Sequence, residues 1–477
     1  MDGGNVSLEN VSKVHLVGIG GAGMSALAHL LKGKGFFVSG CDVSRTTYVE
    51  KLIDAGVPVS LGHDESHLDL YSPDLVVYSS AIACHNTELQ VARSRRIPLA
   101  RRAEVLSLFF NRHRGIGIAG THGKTTTSSM ISLVLDAAGR SPTVAIGGEL
   151  CDIGGNAKLG EGPEMVAELD ESDGSFELFN CDVAVVTNVD WDHVDHYPDV
   201  ESVRTAFVRF LNRVKAGGTV VTCAEDLGAL AVAERSVPER LITYGWGKSW
   251  EWGATEVQHI PGGGVSFSVL HRGVPMGNLS LRLSGDHNVL NALAACAVAD
   301  LMGIPFDVVR SALGSFRGAK RRMQWVGTTN DIIIYDDYGH HPREVEVTLR
   351  AVRQIFPGRR LLAIFQPHRY TRTGALYKDF SRVLSLADES FLLPIYPADE
   401  EPLEGVSSSL IAEAMAMGGA PCHLCFNMKD AQQKVLSHAL PGDVILTVGA
   451  GNVCLLGGLL LHALREIPRE HAVVVGA

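Results

Sequence analysis

The octapeptide Gly120-Thr121-His122-Gly123-Lys124-Thr125-Thr126-Thr127 lies between an apolar run of β type, Gly115–Ala119, and a helix-periodic run, Lys124–Ala138. A strand, a glycine turn and a helix in direct succession form the unit from which parallel sheets are built. The same order recurs at Val14–Val17, Gly18–Gly23 and Met24–Leu31, and again at Val444–Val448, Gly449–Gly451 and Val453–Leu464. Strands alternating with helices imply an α/β fold, with parallel sheets covered by helices on both faces. Ligands of such sheets sit at the carboxyl ends of strands, beside these turns.

A chain of 477 residues is too long for one core. Three blocks are expected: 1–106, 107–317 and 318–477. The first holds strands near Phe36–Asp42 and Asp74–Ser79. The second holds strands at Glu164–Leu169, Val183–Asn188 and Thr219–Thr222, a glycine-punctuated β region from Tyr244 to Leu283, and a helix from Asn288 to Met302. The third holds strands at Ile332–Tyr335, Leu361–Phe365 and Glu389–Leu393. The apolar stretch Val453–Leu464 is too short to span a bilayer and reads as a buried helix.

Charge narrows the partners. With 42 basic and 53 acidic residues, net −11 and no long Lys/Arg run, nucleic acid and anionic membrane are not expected as main partners. An anionic substrate would have to be held by local positive groups. No secretory signal opens the chain, and nine scattered cysteines fit a reducing cytoplasm rather than a disulfide scaffold. Cys422 and Cys425 have no second pair nearby and read as ordinary thiols.

In the octapeptide, Gly120 and Gly123 let backbone N–H groups face a phosphate chain, with the helix N-terminus adding partial positive charge. Thr121, His122 and Thr126 share that loop. Lys124 would neutralise β/γ oxygens, and Thr125 would offer its hydroxyl to Mg²⁺. The strict P-loop spacing fails, because Ile118 stands where the first glycine belongs. The plain alternative is a glycine turn followed by an exposed lysine. Two acidic bursts end apolar strands, Ala167 to Asp173 and Thr187 to His196. They would approach the loop if their strands are its parallel neighbours; otherwise they are solvated loops.

Gly18-x-Gly20-x-x-Gly23, with Asp42 ending the next strand, has the form of a dinucleotide fingerprint. By itself it suggests NAD, hence an oxidoreductase. The physics is only that a helix N-terminus accepts a diphosphate and a carboxylate accepts ribose hydroxyls, and a UDP-sugar offers both. The phosphate loop downstream favours UDP. Ser79 and Ser80, at the next strand end, would line the same cleft. In the third block His340 and His341 precede Pro342, and Arg369 and Arg372 follow Pro367 at a strand end. A guanidinium there would grip a carboxylate with two parallel hydrogen bonds, or be a surface charge.

The glycine loop, the two acidic tips, Gly285-Asp286-His287-Asn288-Val289-Leu290-Asn291-Ala292-Leu293 and Asp336-Asp337-Tyr338-Gly339-His340-His341-Pro342 together resemble the Mur ligases. Gly18-Ile19-Gly20-Gly21-Ala22-Gly23-Met24-Ser25 and Phe365 to Thr373 extend the resemblance over nearly the whole chain, in order. It implies a Rossmann-like domain for a UDP-sugar, a P-loop-type central ATPase domain, and a Rossmann-like carboxyl-terminal domain for the amino acid. It implies ATP and Mg²⁺, and a cytoplasmic ligation of L-alanine to UDP-N-acetylmuramate through an acyl phosphate, by a monomer or homodimer. By position, the resemblance gives Glu168 and His193 to the metal alongside Thr125, with Asp170 and Glu171 less favoured. Asn288 and Asn291 would face adenine, Asp337 the ribose, and Arg322 the γ-phosphate. His340, Arg369 and Arg372 would hold the alanine, with His340 a candidate base beside catalytic Lys124 and His193. Gly18, Gly20, Gly21, Ala22, Gly23, Met24, Asp42, Ser79 and Ser80 would hold the UDP-sugar. Two departures stand out. Phe207 occupies a place where several siblings carry a lysine, which fits the alanine-adding branch, and Cys41 stands where serine is frequent.

Overall fold

The computed structural model describes residues 7–150, 154–192, 196–260, 262–398 and 400–466. Three sheets organise them. The first contains β1 (Lys13–Val17), β2 (Phe37–Asp42), β3 (Val59–Leu61), β4 (Leu75–Tyr78) and β5 (Leu99–Arg101), ordered β3-β2-β1-β4-β5 and parallel throughout. The strands are buried on both faces because helices flank them, so Val14, His15, Leu16 and Val17 of β1 are all buried rather than alternating with exposed positions. Strand order reverses between β1 and β4, which opens a crevice at their carboxyl ends beside Gly18–Gly23.

The second sheet contains β6 (Arg114–Ala119), β7 (Thr143–Leu150), β8 (Gly155–Lys158), β9 (Glu164–Glu168), β10 (Val183–Val186), β11 (Thr219–Cys223), β12 (Leu241–Trp246), β13 (Trp252–His259), β14 (Val265–His271) and β15 (Val274–Leu281). Its order is β15-β14-β13-β12-β11-β10-β6-β9-β7-β8. The parallel centre passes into an antiparallel meander at β13-β14-β15. The third sheet contains β16 (Gln324–Thr329), β17 (Ile332–Asp337), β18 (Leu361–Phe365), β19 (Glu389–Leu392), β20 (Cys422–Leu424) and β21 (Val444–Val448). Its order is β16-β17-β21-β18-β19-β20, parallel except for the edge strand β16.

The first two sheets are not separate cores. One apolar cluster runs from Val14 and Leu27 through Phe110 to Phe176 and Phe207. The helix Ala22–Gly33 packs on β7 and β8 of the second sheet, where Asn156 Nδ2 donates to Ser25 Oγ at 3.0 Å. Residue 106, expected as the end of the first block, lies inside the helix Arg102–Phe110, whose Leu106 and Phe110 are buried. Phe207 is fully buried, edge-on to Phe176 with ring centroids 5.1 Å apart.

The late apolar stretch departs from its sequence reading. The helix Cys454–Glu466 buries Leu456, Leu460 and Leu464 but leaves Leu455 and Leu459 in solvent. Leucines on both sides of one helix conceal the 3.6-residue period that tells the faces apart. No helix among the described residues is long and apolar enough to cross a membrane.

Candidate active site

Strand β6 lies between β9 and β10, parallel to both, so the two acidic tips flank the loop that leaves it. Gly120 has φ +133°, and a Cβ there would overlap Thr187 Oγ1. Gly123 has φ +81° and opens the helix Lys124–Ala137. Asn188 braces the loop, accepting from His122 N at 2.8 Å and donating to His122 O at 2.8 Å. Lys124 Nζ donates to Glu171 Oε2 at 2.9 Å and to Thr121 O at 3.2 Å. Burial opposes the charge of Lys124, yet Glu171, Asp170 and Glu168 hold its pKa above the ordinary lysine value. Thr125 Oγ1 donates to Glu168 Oε2 at 3.0 Å, and Gly147 N donates to the same oxygen at 2.9 Å.

The third sheet closes over this loop. Glu344, in the first turn of the helix Pro342–Ile355, lies 3.3 Å from His122 Nδ1, 3.6 Å from Arg322 Nη1 and 3.4 Å from His340 Nδ1. It also accepts from the His340 amide at 2.9 Å. Burial opposes the imidazolium of His122, but Asp190 and Glu344 raise its pKa to about 9. Burial lowers the pKa of both His340 and His341 to about 4, leaving neutral rings at neutral pH. Glu344 had no conspicuous motif in the sequence. Its only signal was its place three residues after His341, where the two form a capping box around Pro342.

Two cavities adjoin here. The larger, ≈ 790 Å³, is lined by Gly23 and Ser80 from the first sheet, Lys124 and Glu168 from the second, and Arg322 and His340 from the third. Gly21, Ala22, Met24 and Ser79 also line it. The smaller, ≈ 320 Å³, holds Thr126, Tyr244, Asn288, Asn291 and Asp337. Gly123, Thr125, Arg322 and Glu344 border both. Asn291 Oδ1 accepts from Thr127 Oγ1 at 3.1 Å, so helix Asp286–Leu301 is keyed to the phosphate-loop helix, and Asn288 Nδ2 donates to Ser284 O at 2.8 Å just before its own helix.

Several expected residues are engaged within the protein. Asp42 Oδ2 accepts from Gly20 N at 2.8 Å and Oδ1 from Ser44 N at 3.0 Å, so the carboxylate caps the glycine loop itself. Gly18, at φ +81°, makes the turn, its amide donating to Cys41 O at 2.9 Å. Asp337 accepts from Met323 N and Gly339 N, both at 2.8 Å. Arg372 donates from Nε and Nη2 to Asp192 Oδ1 at 3.1 and 2.9 Å, both side chains buried. Arg369, at φ +70°, lies 3.8 Å from Glu400 Oε1. His193 lies outside the described residues. The sequence reading overlooked Arg102, which packs against Gly23, and Tyr48 and Lys320, all on the larger cavity. Arg102 and Tyr48 sit in helices away from any glycine- or acid-marked turn, and Lys320 follows the lone Gly318, so no local pattern singled them out.

Comparison with known proteins agrees with this architecture. Three family models match in sequence order: the Mur ligase family catalytic domain over 13–114, the Mur ligase middle domain over 118–299, and the Mur ligase glutamate ligase domain over 321–451. A UDP-N-acetylmuramate–L-alanine ligase of Geotalea daltonii is 42% identical over 459 residues, covering 96% of this chain and 99% of that protein. One from Geobacter sulfurreducens is 41% identical over 458 residues, covering 96% and 98%. Among solved structures, a UDP-N-acetylmuramate–alanine ligase of Thermotoga maritima superposes with TM-score 0.80 at 30% identity, covering 94% of this chain and 98% of that one. A murein peptide ligase of Psychrobacter arcticus gives TM-score 0.73 at 25% identity, covering 96% and 99%. With matching domains in order along nearly its whole length, and relatives above 40% identity over 96% of it, this chain belongs to the Mur ligase family.

Proposed function

We propose that the chain joins L-alanine to the carboxylate of UDP-N-acetylmuramate with conversion of ATP to ADP and phosphate, as a step of peptidoglycan precursor synthesis in the cytoplasm. The observation that carries this is the ≈ 790 Å³ cavity, which the first sheet's glycine loop, Lys124 and the third sheet's Arg322 and His340 line together. Three reactants held by three units can meet only in such a shared space. The names of the Geotalea and Geobacter relatives supply the identity of the acceptor and the amino acid.

A carboxylate does not react with an amine, because oxide is a poor leaving group. In the proposed reaction the sugar carboxylate oxygen attacks the γ-phosphorus, the bond to the β-phosphate oxygen breaks, and ADP leaves. The alanine nitrogen then attacks the acyl-phosphate carbonyl, loses a proton, and phosphate departs. The protein supplies position and charge. Lys124 at the loop and Arg322 across the gap oppose the charge of the transferred phosphoryl group. The smaller cavity, with Asn288, Asn291 and Asp337, suits the nucleoside end.

The Thr125 hydroxyl and Glu168 carboxylate, 3.0 Å apart beside Lys124, form an oxygen donor pair suited to Mg²⁺. When bound, Mg²⁺ adds positive charge at the β/γ phosphate oxygens. His340, neutral at physiological pH with a pKa of about 4, is a weak proton acceptor, and its place at the cavity wall supports orientation of the amine.

The test is ADP release with UDP-N-acetylmuramate while amino acids are offered singly. L-alanine should give turnover well above the rest. Lys124→Ala should lower the rate by about a hundredfold or more with the fold retained. Normal turnover in that variant, or ADP release indifferent to alanine, would remove the proposal.

A further inference from the structure

Beneath the glycine loop of the first sheet lies a cluster of metal-ligating side chains that the proposed ligation does not use. His15 on β1, Cys41 on β2, His67 in the helix Ser66–Tyr71 and Glu88 in the helix Thr87–Ser94 are all buried. One ligand atom from each lies within 4.8 Å of all the others. Glu88 is the centre. Its Oε2 is 2.9 Å from His15 Nε2, and its Oε1 is 3.0 Å from Cys41 Sγ and 3.3 Å from His67 Nδ1. His63, less buried, borders the cluster with Nδ1 3.2 Å from Cys41 Sγ.

We propose that His15, Cys41, His67 and Glu88 form a structural site for Zn²⁺ or a divalent cation of the same ligand preference. Nitrogen, sulfur and oxygen donors of this kind are those zinc takes, in tetrahedral sites. Ligand bonds of about 2.0–2.3 Å place tetrahedral donors roughly 3.3–3.6 Å apart. Glu88 Oε1 lies 3.0 and 3.3 Å from Cys41 Sγ and His67 Nδ1, and Oε2 lies 2.9 Å from His15 Nε2, at or below the lower end of that range.

Two further features fit. His15 is already oriented: its Nδ1 lies 2.9 Å from Ser39 Oγ, and its ring stacks on Tyr71 with centroids 5.4 Å apart. A partner on one ring nitrogen, holding the other toward the centre, is the usual support of a metal-ligating histidine. Charge also balances. A divalent cation with one thiolate, one carboxylate and two neutral imidazoles is net neutral, which a buried site requires. Binding of the ion displaces the Cys41 thiol proton to solvent.

Another trio, Glu389 and His423 on the third sheet with His438 at the end of the helix Met428–His438, lacks this balance. There Arg360 Nη1 lies 3.3 Å from Glu389 Oε1 and already supplies the positive charge. In the first sheet the ion would tie two strands and two helices together directly under the loop whose Gly18 and Ile19 amides donate to Cys41 O.

The experiment uses the full-length chain, stripped with chelator, equilibrated with Zn²⁺ alone in excess Mg²⁺, and freed of loose metal by gel filtration. Elemental analysis should find about one Zn²⁺ retained per chain. Substitution with Co²⁺ should give thiolate-to-cobalt charge-transfer absorption in the near ultraviolet. That band should vanish in Cys41→Ser and persist in the Cys422→Ser/Cys425→Ser double variant. Loss of zinc from the wild-type chain on filtration would mean a hydrogen-bonded network only. A cobalt band unchanged by Cys41→Ser would place the metal elsewhere. Either result overturns the proposal.

Discussion

At the scale of residues, the site is governed by which charges share a carboxylate. Glu344 faces His122, Arg322 and His340, and its pKa lies well below the ordinary carboxylate value although burial opposes its charge. His122 takes its charge from Glu344 and Asp190, with its pKa raised from 6.5 to about 9. A histidine whose folded pKa exceeds its unfolded value stabilises fully below the unfolded value and loses that contribution as pH rises through the folded one. Stability owed to His122 should therefore be complete below pH 6.5 and fade between 6.5 and about 9. Thermal unfolding of wild type and His122→Gln across that range checks this, with the two curves converging toward the alkaline end. His340 and His341, lowered to about 4, act in the opposite sense: their contribution holds above pH 6.5 and is lost as pH falls toward 4. The acid side of the profile should therefore survive in His122→Gln.

At the scale of elements, the phosphate loop depends on a backbone form that only glycine takes without strain. Gly120 stands at φ +133°, and the space a Cβ needs is filled by Thr187 Oγ1 from the neighbouring strand end. Gly120→Ala should cost about 1–3 kcal/mol or more in stability and should displace Thr187, which also donates to His122 O at 2.6 Å. ATP binding, followed by calorimetry, should weaken by more than in Gly139→Ala, where φ is +73° but no neighbouring atom lies within 4 Å of the added Cβ. Equal losses in the two variants would show that backbone conformation alone, not the packing of the acidic tip on the loop, sets the cost.

At the scale of the whole molecule, charged contacts join the third sheet to the second among the described residues. Arg372 to Asp192 is buried on both sides, and Arg343, bonded to Asp226 Oδ2 at 2.9 Å, is partly exposed. Arg372→Ala leaves the Asp192 carboxylate buried without this partner and should cost about 3–5 kcal/mol. The double variant Arg372→Met/Asp192→Leu should recover much of that loss. If Arg372 also holds the alanine carboxylate, the alanine KM of the double variant stays high; recovery of both stability and KM would leave Arg372 a strut between the sheets. Reactants on separate units also require closure, with the link around Gly314–Lys320 as the expected hinge. Small-angle scattering should therefore narrow when all substrates are added.

The contiguous sequence was enough for the α/β class, the parallel strands and the Lys124–Thr125 loop, because strand, turn and helix succeed one another within a few residues and each leaves a local periodicity or a glycine. It also marked the acidic burst from Ala167 to Asp173, since carboxylates ending an apolar strand are visible without knowing their neighbours, while Glu168 within it was singled out only by the resemblance. The antiparallel edge β16 and the short strands β3, β5 and β20 left too little periodicity to register. The pairing of Arg372 with Asp192, the diversion of Asp42 to the amides of its own loop, and the convergence of Glu344 on His122, Arg322 and His340 were decided only by the tertiary structure. Apart from His340, four residues before Glu344, those partners lie from 22 to 222 residues apart. A side chain's partner at that separation depends on how strands are ordered and sheets stacked, which no short stretch of chain encodes by itself.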